Sequence, residues 1–269
     1  SYAPIGGSVG PHTDGYDVFL LQAKGTRRWQ VGAEPLLETR LIEGLDLKIL
    51  SEFTADESWE LEPGDMLYLP PHFAHHGVAQ NDCITFSIGF RAPTQTEVLD
   101  AYLQELADSD IGDVHYSDPD LNVNTSETKI DKRAMARFKQ SLIDTINQSD
   151  TLLQSAVGRL VTQTKPSLEW LADEYIQDND PMSLSTQFES GGILQRNRYI
   201  RMAWTESENH LFLFIAGEKL TLSASYQSMM NMLTGVLPIS LQQWESLQQY
   251  EGAEQVLNAL IQHGGWYWE

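Results

Sequence analysis

The apolar positions change their period twice along the chain, and those changes divide it. Up to Phe90 they come in short runs bounded by turn residues, the pattern of β-strands. Tyr16–Gln22 reads Tyr-Asp-Val-Phe-Leu-Leu-Gln, a short buried strand, and Lys24-Gly25 supplies a turn. In Thr26–Val31 alternation puts Arg27, Trp29 and Val31 on one face and Arg28 and Gln30 on the other. Short strands are expected near Leu47–Leu50, at Trp59–Leu61 and at Met66–Leu69. Pro70-Pro71 ends the last of these in an extended loop, and Cys83–Phe90 forms a further strand. In that strand Ile84, Phe86 and Ile88 share one face, and Cys83, Thr85 and Ser87 share the other. Many short strands with almost no helix predict a β-sandwich or barrel over residues 1–93.

From Thr94 the period becomes helical. Thr94-Gln95-Thr96-Glu97 reads as a capping box, followed by Val98, Leu99, Tyr102, Leu103 and Leu106. Residues 108–128 are polar and loop-like, and helical spacing returns near 131–147 and 151–164. Residues 94–165 are therefore expected to form a small helical domain, its apolar stripes packing together or against a second subunit. Pro166–Pro181 is acidic and broken, a candidate linker. In residues 166–269 strands are expected at Tyr199–Ala203, His210–Ile215 and Glu218–Leu222. Helices are expected near 225–234, 239–249 and 252–263, and Trp266-Tyr267-Trp268 closes as a strand-like tail. This order suggests a winged-helix-like domain, so the fold class is β + α multidomain.

Charge changes that picture. The chain carries 17 basic and 38 acidic residues, a net charge of −21. Between Pro166 and Glu269 four basic residues face thirteen acidic ones, which argues against DNA binding by this winged helix. An acidic surface favours basic protein partners instead. No run approaches the ~18 apolar residues of a membrane helix, and no leader-like segment opens the sequence. The single cysteine, Cys83, excludes an internal disulfide and fits a cytoplasmic location. Ser1-Tyr2-Ala3-Pro4 reads like the middle of a domain, so further residues are expected upstream.

The candidate chemistry gathers around Gly10-Pro11-His12-Thr13-Asp14. On an extended strand His12 and Asp14 point to the same side, an imidazole beside a carboxylate. That pair is part of the 2-His-1-carboxylate set that holds non-haem Fe(II) with open positions. By itself His-x-Asp is more often a polar strand edge. Arg27 is an inward arginine and needs an anion, either a bound carboxylate held bidentately or an internal acidic side chain.

Gly64-x5-Pro70-x-His72-x2-His75 resembles the second cupin motif, with His75 at the metal histidine and His72 in place of the motif's glycine. The motif's later asparagine is Ala79 here. With His12 and Asp14 upstream and Arg27-Arg28-Trp29 between, the set resembles the JmjC branch of the 2-oxoglutarate oxygenases. Four segments narrow the resemblance to the bacterial ribosomal oxygenases: Gly10–Phe19, Gly25–Gly32, Pro63–Pro71 and Ser87–Pro93. The resemblance implies a double-stranded β-helix (jelly-roll, cupin) core, a helical dimerisation region giving a homodimer, and a winged-helix-like C-terminal domain. It implies Fe(II) held by His12, Asp14 and His75, with 2-oxoglutarate and O2 as cosubstrates. Arg27 would bind the distal carboxylate, with arginine for the more usual lysine, and Ser1 falls on a serine that touches 2-oxoglutarate. The implied reaction is hydroxylation of an arginine side chain on large-subunit ribosomal protein sixteen. A histidine hydroxylase or demethylase of the same fold remains open, as does a cupin-like binding protein with an inert site. His72 and His76 read as exposed loop histidines.

Overall fold

The computed structural model describes residues 1–117, 119, 128–165 and 183–269. The expected linker Pro166–Pro181 and part of the polar stretch 108–128 lie outside the described residues. The chain divides into two compact units, Ser1–Ala92 and Pro93–Glu269.

The first unit holds β1 (Tyr2–Ala3), β2 (Asp17–Lys24), β3 (Arg27–Pro35), β4 (Glu57–Leu61), β5 (Met66–Leu69), β6 (Phe73–Ala79) and β7 (Cys83–Phe90). They form two antiparallel sheets, β1-β7-β2-β5 and β4-β3-β6. Val18, Leu20 and Leu69 of the first sheet meet Trp29, Val31 and Leu61 of the second in one buried cluster. The second sheet gains an irregular margin from the glycine-rich approach to His12. Gly6 donates to the Ala79 carbonyl (2.8 Å), and His12 and His75 exchange backbone hydrogen bonds of 3.0 and 2.9 Å. Glycine and proline deny this segment regular pairing over its length, so His12 sits in an isolated bridge rather than in a strand.

Two expectations change here, and the inner face of β7, which the sequence left open, is decided. Leu47–Leu50 is not a strand; it makes only the Leu41–Leu50 bridge, and on its other side the Leu50 amide donates to the Pro11 carbonyl at 2.8 Å. His76 is not an exposed loop histidine; it lies half-buried on β6, the strand that also carries the buried His75. In β7 the polar face is the inner one: Cys83 and Thr85 are buried, while Phe86, Ile88 and Phe90 are exposed. The inner position of Thr85 is satisfied by polar contacts. Its hydroxyl donates to Gln22 Oε1 at 2.8 Å, and Gln22 Nε2 donates to the Lys24 and Gly25 carbonyls, both at 2.9 Å. That bonding holds the turn leading into Arg27.

The second unit begins with α1 (Gln95–Ala107), whose capping box runs between Thr94 and Glu97. Next come α2 (Lys132–Asn147), α3 (Asp150–Thr162) and α4 (Leu184–Glu189). Then follow β8 (Leu194–Arg196), β9 (Met202–Ser207), β10 (His210–Ile215), β11 (Glu218–Ser223) and a 3-10 turn at Ala224–Met229. α5 (Met230–Thr234), α6 (Leu241–Leu247), α7 (Ala253–Gln262) and β12 (Trp266–Trp268) complete the unit. β9, β10 and β11 form an antiparallel sheet, and β8 pairs with β12. β9 starts later than the apolar run Tyr199–Ala203 suggests. The Asn197 side chain takes the Tyr199 amide at 3.1 Å, and the Arg196 guanidinium takes the Ile200 carbonyl at 2.6 Å, which makes this stretch a turn.

α3 packs directly on that sheet, and one glycine decides how closely. A Cβ on Gly158 would stand 2.2 Å from the Phe214 ring. Gly158→Leu is expected to destabilise the chain by about 1–3 kcal/mol, the usual cost of overpacking a filled interior, read as a fall in the thermal midpoint. An unchanged midpoint would refute the close approach.

Candidate metal and cosubstrate site

Three side chains from two distant segments of the sequence converge at one end of the second sheet. One ligand atom from each of His12, Asp14 and His75 lies within 4.8 Å of the others. His12 is brought there by its backbone pairing with His75, which sets the two rings 4.2 Å apart between centroids. His75 Nε2 stands 3.6 Å from Asp14 Oδ2. The Asp14 backbone is tied as well, its carbonyl accepting from the His72 amide at 2.7 Å.

The protonation of the two rings suits a cation. His12 Nδ1 lies 3.0 Å from the Gly10 carbonyl, and His75 Nδ1 lies 3.0 Å from the Phe73 carbonyl. A carbonyl only accepts, so each Nδ1 is the donor of its ring, and Nε2 is the atom left to face a metal. Burial pushes the His75 pKa below its ordinary value, and the neighbouring His12 adds to that, opposed by the Phe73 carbonyl and Asp14. The ring is thus held neutral, the form in which imidazole binds metals. Two imidazoles presenting Nε2 and one carboxylate fit a divalent cation with open positions.

Arg27 lies deeper in the same interior, 5% exposed. Alternation along β3 places Trp29 and Val31 beside it and turns Arg28 outward. Among the described residues Arg27 has no carboxylate partner. Its Nη2 donates to the Gly77 carbonyl at 3.2 Å, and its guanidinium carbon lies 4.8 Å over the Trp29 ring. Its Nε and the Trp29 indole Nε1 are buried without a hydrogen-bond partner. Burial pulls the Arg27 pKa below its ordinary value, with nearby Cys83 opposing it. A buried cation with unspent donors is the complement of an anionic ligand.

Ser1 lies at the β1 end of the first sheet, with its hydroxyl donating to the Thr85 carbonyl at 3.2 Å. His76 is half-buried on the opposite face of β6 from His75, edge-on to Phe53 at 6.1 Å. His72 is exposed, with φ of 68°. The position that the cupin motif gives to glycine is thus left-handed in this chain, occupied by a residue that tolerates it less well. Gln22 and Thr85, which brace the turn before Arg27, escaped the sequence reading; a polar residue inside an apolar strand was their only signal.

The geometry separates the three clustered histidines. His75→Ala is expected to abolish tight binding of Mn(II) or Co(II), because one of three ligands is lost. His72→Gly is expected to leave metal binding intact and to raise stability by up to about 1 kcal/mol by relieving the left-handed backbone. Metal titration and thermal unfolding of both variants check this, and metal loss in His72→Gly would show the assignment to be wrong.

Comparison with known proteins agrees with this geometry. The JmjC domain family model matches residues 1–98, and the ROXA-like winged helix model matches residues 141–267. The ribosomal protein uL16 3-hydroxylase of Escherichia coli is 28% identical over 269 residues, which is 100% of this chain and 69% of that protein. A probable ribosomal oxygenase of Haemophilus influenzae is 35% identical over 231 residues, covering 82% of this chain and 55% of that protein. The chain thus spans only part of the length of the relatives it matches. A solved structure of E. coli YcfD in complex with cobalt and 2-oxoglutarate superposes with a TM-score of 0.76 at 26% identity, covering 100% of this chain and 68% of that one. The chain is therefore a JmjC-domain protein with a ROXA-like winged helix, homologous over its full length to the E. coli ribosomal protein uL16 3-hydroxylase.

Proposed function

We propose that this chain is an Fe(II)- and 2-oxoglutarate-dependent oxygenase that hydroxylates an arginine side chain of the large-subunit ribosomal protein uL16. The observation that carries the reading is the pairing of two features in one interior. The His12–Asp14–His75 cluster fits a metal, and Arg27 is a buried cation without an acidic partner among the described residues. An inert cupin-like binding site has no use for the second feature.

His12 and His75 would hold Fe(II) through Nε2, and Asp14 through a carboxylate oxygen. Together with 2-oxoglutarate and O2 the metal supplies C–H hydroxylation, with the cosubstrate leaving as succinate and CO2. The protein's part is placement. The Gly10 and Phe73 carbonyls fix the two rings, and the His72 amide fixes the Asp14 backbone. Arg27 would bind the far carboxylate of the cosubstrate, with Ser1 as a further contact. Trp29, Val31 and Leu61 make a dry wall beside these charges, where each polar contact is stronger than in water.

The acidic balance supports a basic partner. A net charge of −21 attracts a cationic ribosomal protein and repels nucleic acid phosphates. The helical region supports a homodimer. On α2 the side chains of Met135, Phe138, Leu142 and Ile146 are exposed at helical spacing, an apolar stripe of the kind that a second subunit covers.

Four outcomes are expected. Incubation with Fe(II), 2-oxoglutarate and isolated uL16 should add the mass of one oxygen atom to an arginine; a modified histidine or lost methyl groups would favour the sister activities. In the same assay Arg27→Ala should raise the 2-oxoglutarate requirement about 10- to 150-fold, the worth of a charge-assisted contact of roughly 1.5–3 kcal/mol, and Arg28→Ala should do far less. Equal effects of the two would refute the inward role of Arg27. Leu142→Glu should convert a dimer to a monomer in light scattering; a monomeric parent chain would remove the dimer proposal. Binding of uL16 should weaken as salt rises, while duplex DNA stays unbound at physiological salt; the reverse result would point to a regulatory protein.

A further inference from the structure

Gly77 stands in the middle of β6, where glycine weakens a strand unless something needs the space. Its backbone is not among the positive-φ positions, so no turn or left-handed conformation calls for it. The remaining reason is close approach. A Cβ at this position would lie 2.7 Å from Arg27 Nε and 2.7 Å from Cη2 and Cζ3 of Trp29. Trp29 is the direct cross-strand neighbour of Gly77, and Arg27 pairs with Ala79 one step along the same inner face. The guanidinium is therefore held on two sides. The Trp29 ring lies 4.8 Å beneath its central carbon, and the Gly77 carbonyl takes one Nη2 proton at 3.2 Å. What remains unspent is the Nε–H, with no partner in the protein. A guanidinium presents a bidentate face to a carboxylate only in one orientation, so whatever fixes its plane governs the anion it can take.

We propose that Gly77 is a positioning residue for the cosubstrate: its missing side chain and its carbonyl set the plane in which Arg27 meets the distal carboxylate of a 2-oxo dicarboxylate. This rests on the oxygenase reading above and adds to it a residue that touches neither metal nor cosubstrate. A side chain at position 77 displaces the guanidinium while leaving His12, Asp14 and His75 in place. Trp29 belongs to the same clamp, because its ring face is the floor on which the cation rests.

The test is calorimetric titration of the Mn(II)-loaded full chain with 2-oxoglutarate without oxygen, beside a separate measurement of Mn(II) affinity by electron paramagnetic resonance. Gly77→Ala is expected to weaken 2-oxoglutarate binding about tenfold or more, the loss of a charge-assisted contact, with Mn(II) affinity unchanged. The double variant Gly77→Ala/Arg27→Ala is expected to bind no more weakly than Arg27→Ala alone, because the glycine acts through the arginine. A merely structural glycine would instead lower the melting temperature and leave additive losses. Parent-like 2-oxoglutarate affinity in Gly77→Ala, or additive losses in the double variant, overturns the proposal. If Gly77→Ala does not fold, Trp29→Phe serves: several-fold weaker 2-oxoglutarate binding at unchanged Mn(II) affinity supports the clamp, and unchanged 2-oxoglutarate affinity overturns it. Failure of the parent chain to bind 2-oxoglutarate while it still binds Mn(II) brings down the oxygenase reading itself, and this inference with it.

Discussion

The pairing of β3 with β6 sets Val31 opposite His75, Trp29 opposite Gly77 and Arg27 opposite Ala79, and nearly every feature of the candidate site follows from that register. A slip by one residue would turn His75 outward and bring His76 in, and Val78 would stand where Gly77 leaves room for Arg27 and Trp29. The register is held from both flanks. β4 pairs along the far side of β3, and the His12 backbone pairs with His75 along the free margin of β6. The His12–Asp14–His75 cluster is thus attached to the same hydrogen-bond ladder that positions Arg27, so the geometry of the two is set together.

That interior is costly to build. Arg27, His75, Gln22 and Thr85 are all buried, and each must find partners or forfeit the desolvation cost of its polar atoms. Gln22 and Thr85 satisfy each other and brace the Lys24–Gly25 turn. His75 gives its Nδ1 proton to the Phe73 carbonyl. Arg27 is the exception, with a buried donor left over. A fold under selection for stability alone would place an aliphatic residue there, which is why the orphaned donor counts in favour of the proposed anion site.

The two units carry their exposed apolar surface differently. In the first, Phe86, Ile88, Phe90, Met66 and Tyr68 line the outer face of the β1-β7-β2-β5 sheet, while the inner face near the site is partly polar. In the second, the exposed apolar residues of α2 follow a helical stripe, and the β9–β11 sheet is covered by α3 down to the Gly158–Phe214 contact. Burial in the second unit is otherwise conventional, with Leu213, Trp244, Leu257 and Trp266 fully enclosed in one large cluster.

The sequence by itself determined the local matters. Period-2 alternation placed Arg27, Trp29 and Val31 on one face, because strand geometry leaves only two sides to choose from. Thr94 and Glu97 announced the start of α1 through a bonding pattern complete within four residues. Motif spacing singled out His12, Asp14 and His75, whose convergence needed only that two short segments run side by side. Long-range pairing decided the rest. Which face of β7 is inner could not be read from its residues, because hydrophobicity points to Phe86 and Ile88 while Thr85 and Cys83 are the ones enclosed. His76 reads like its neighbour until the register turns it away. Gly77 looks like any strand glycine until the ring of Trp29 and the guanidinium of Arg27 are seen to lie where its side chain would be. Such contacts join residues about fifty positions apart, and no local pattern encodes them. Only the tertiary structure, by closing one sheet over the other, brings them within reach.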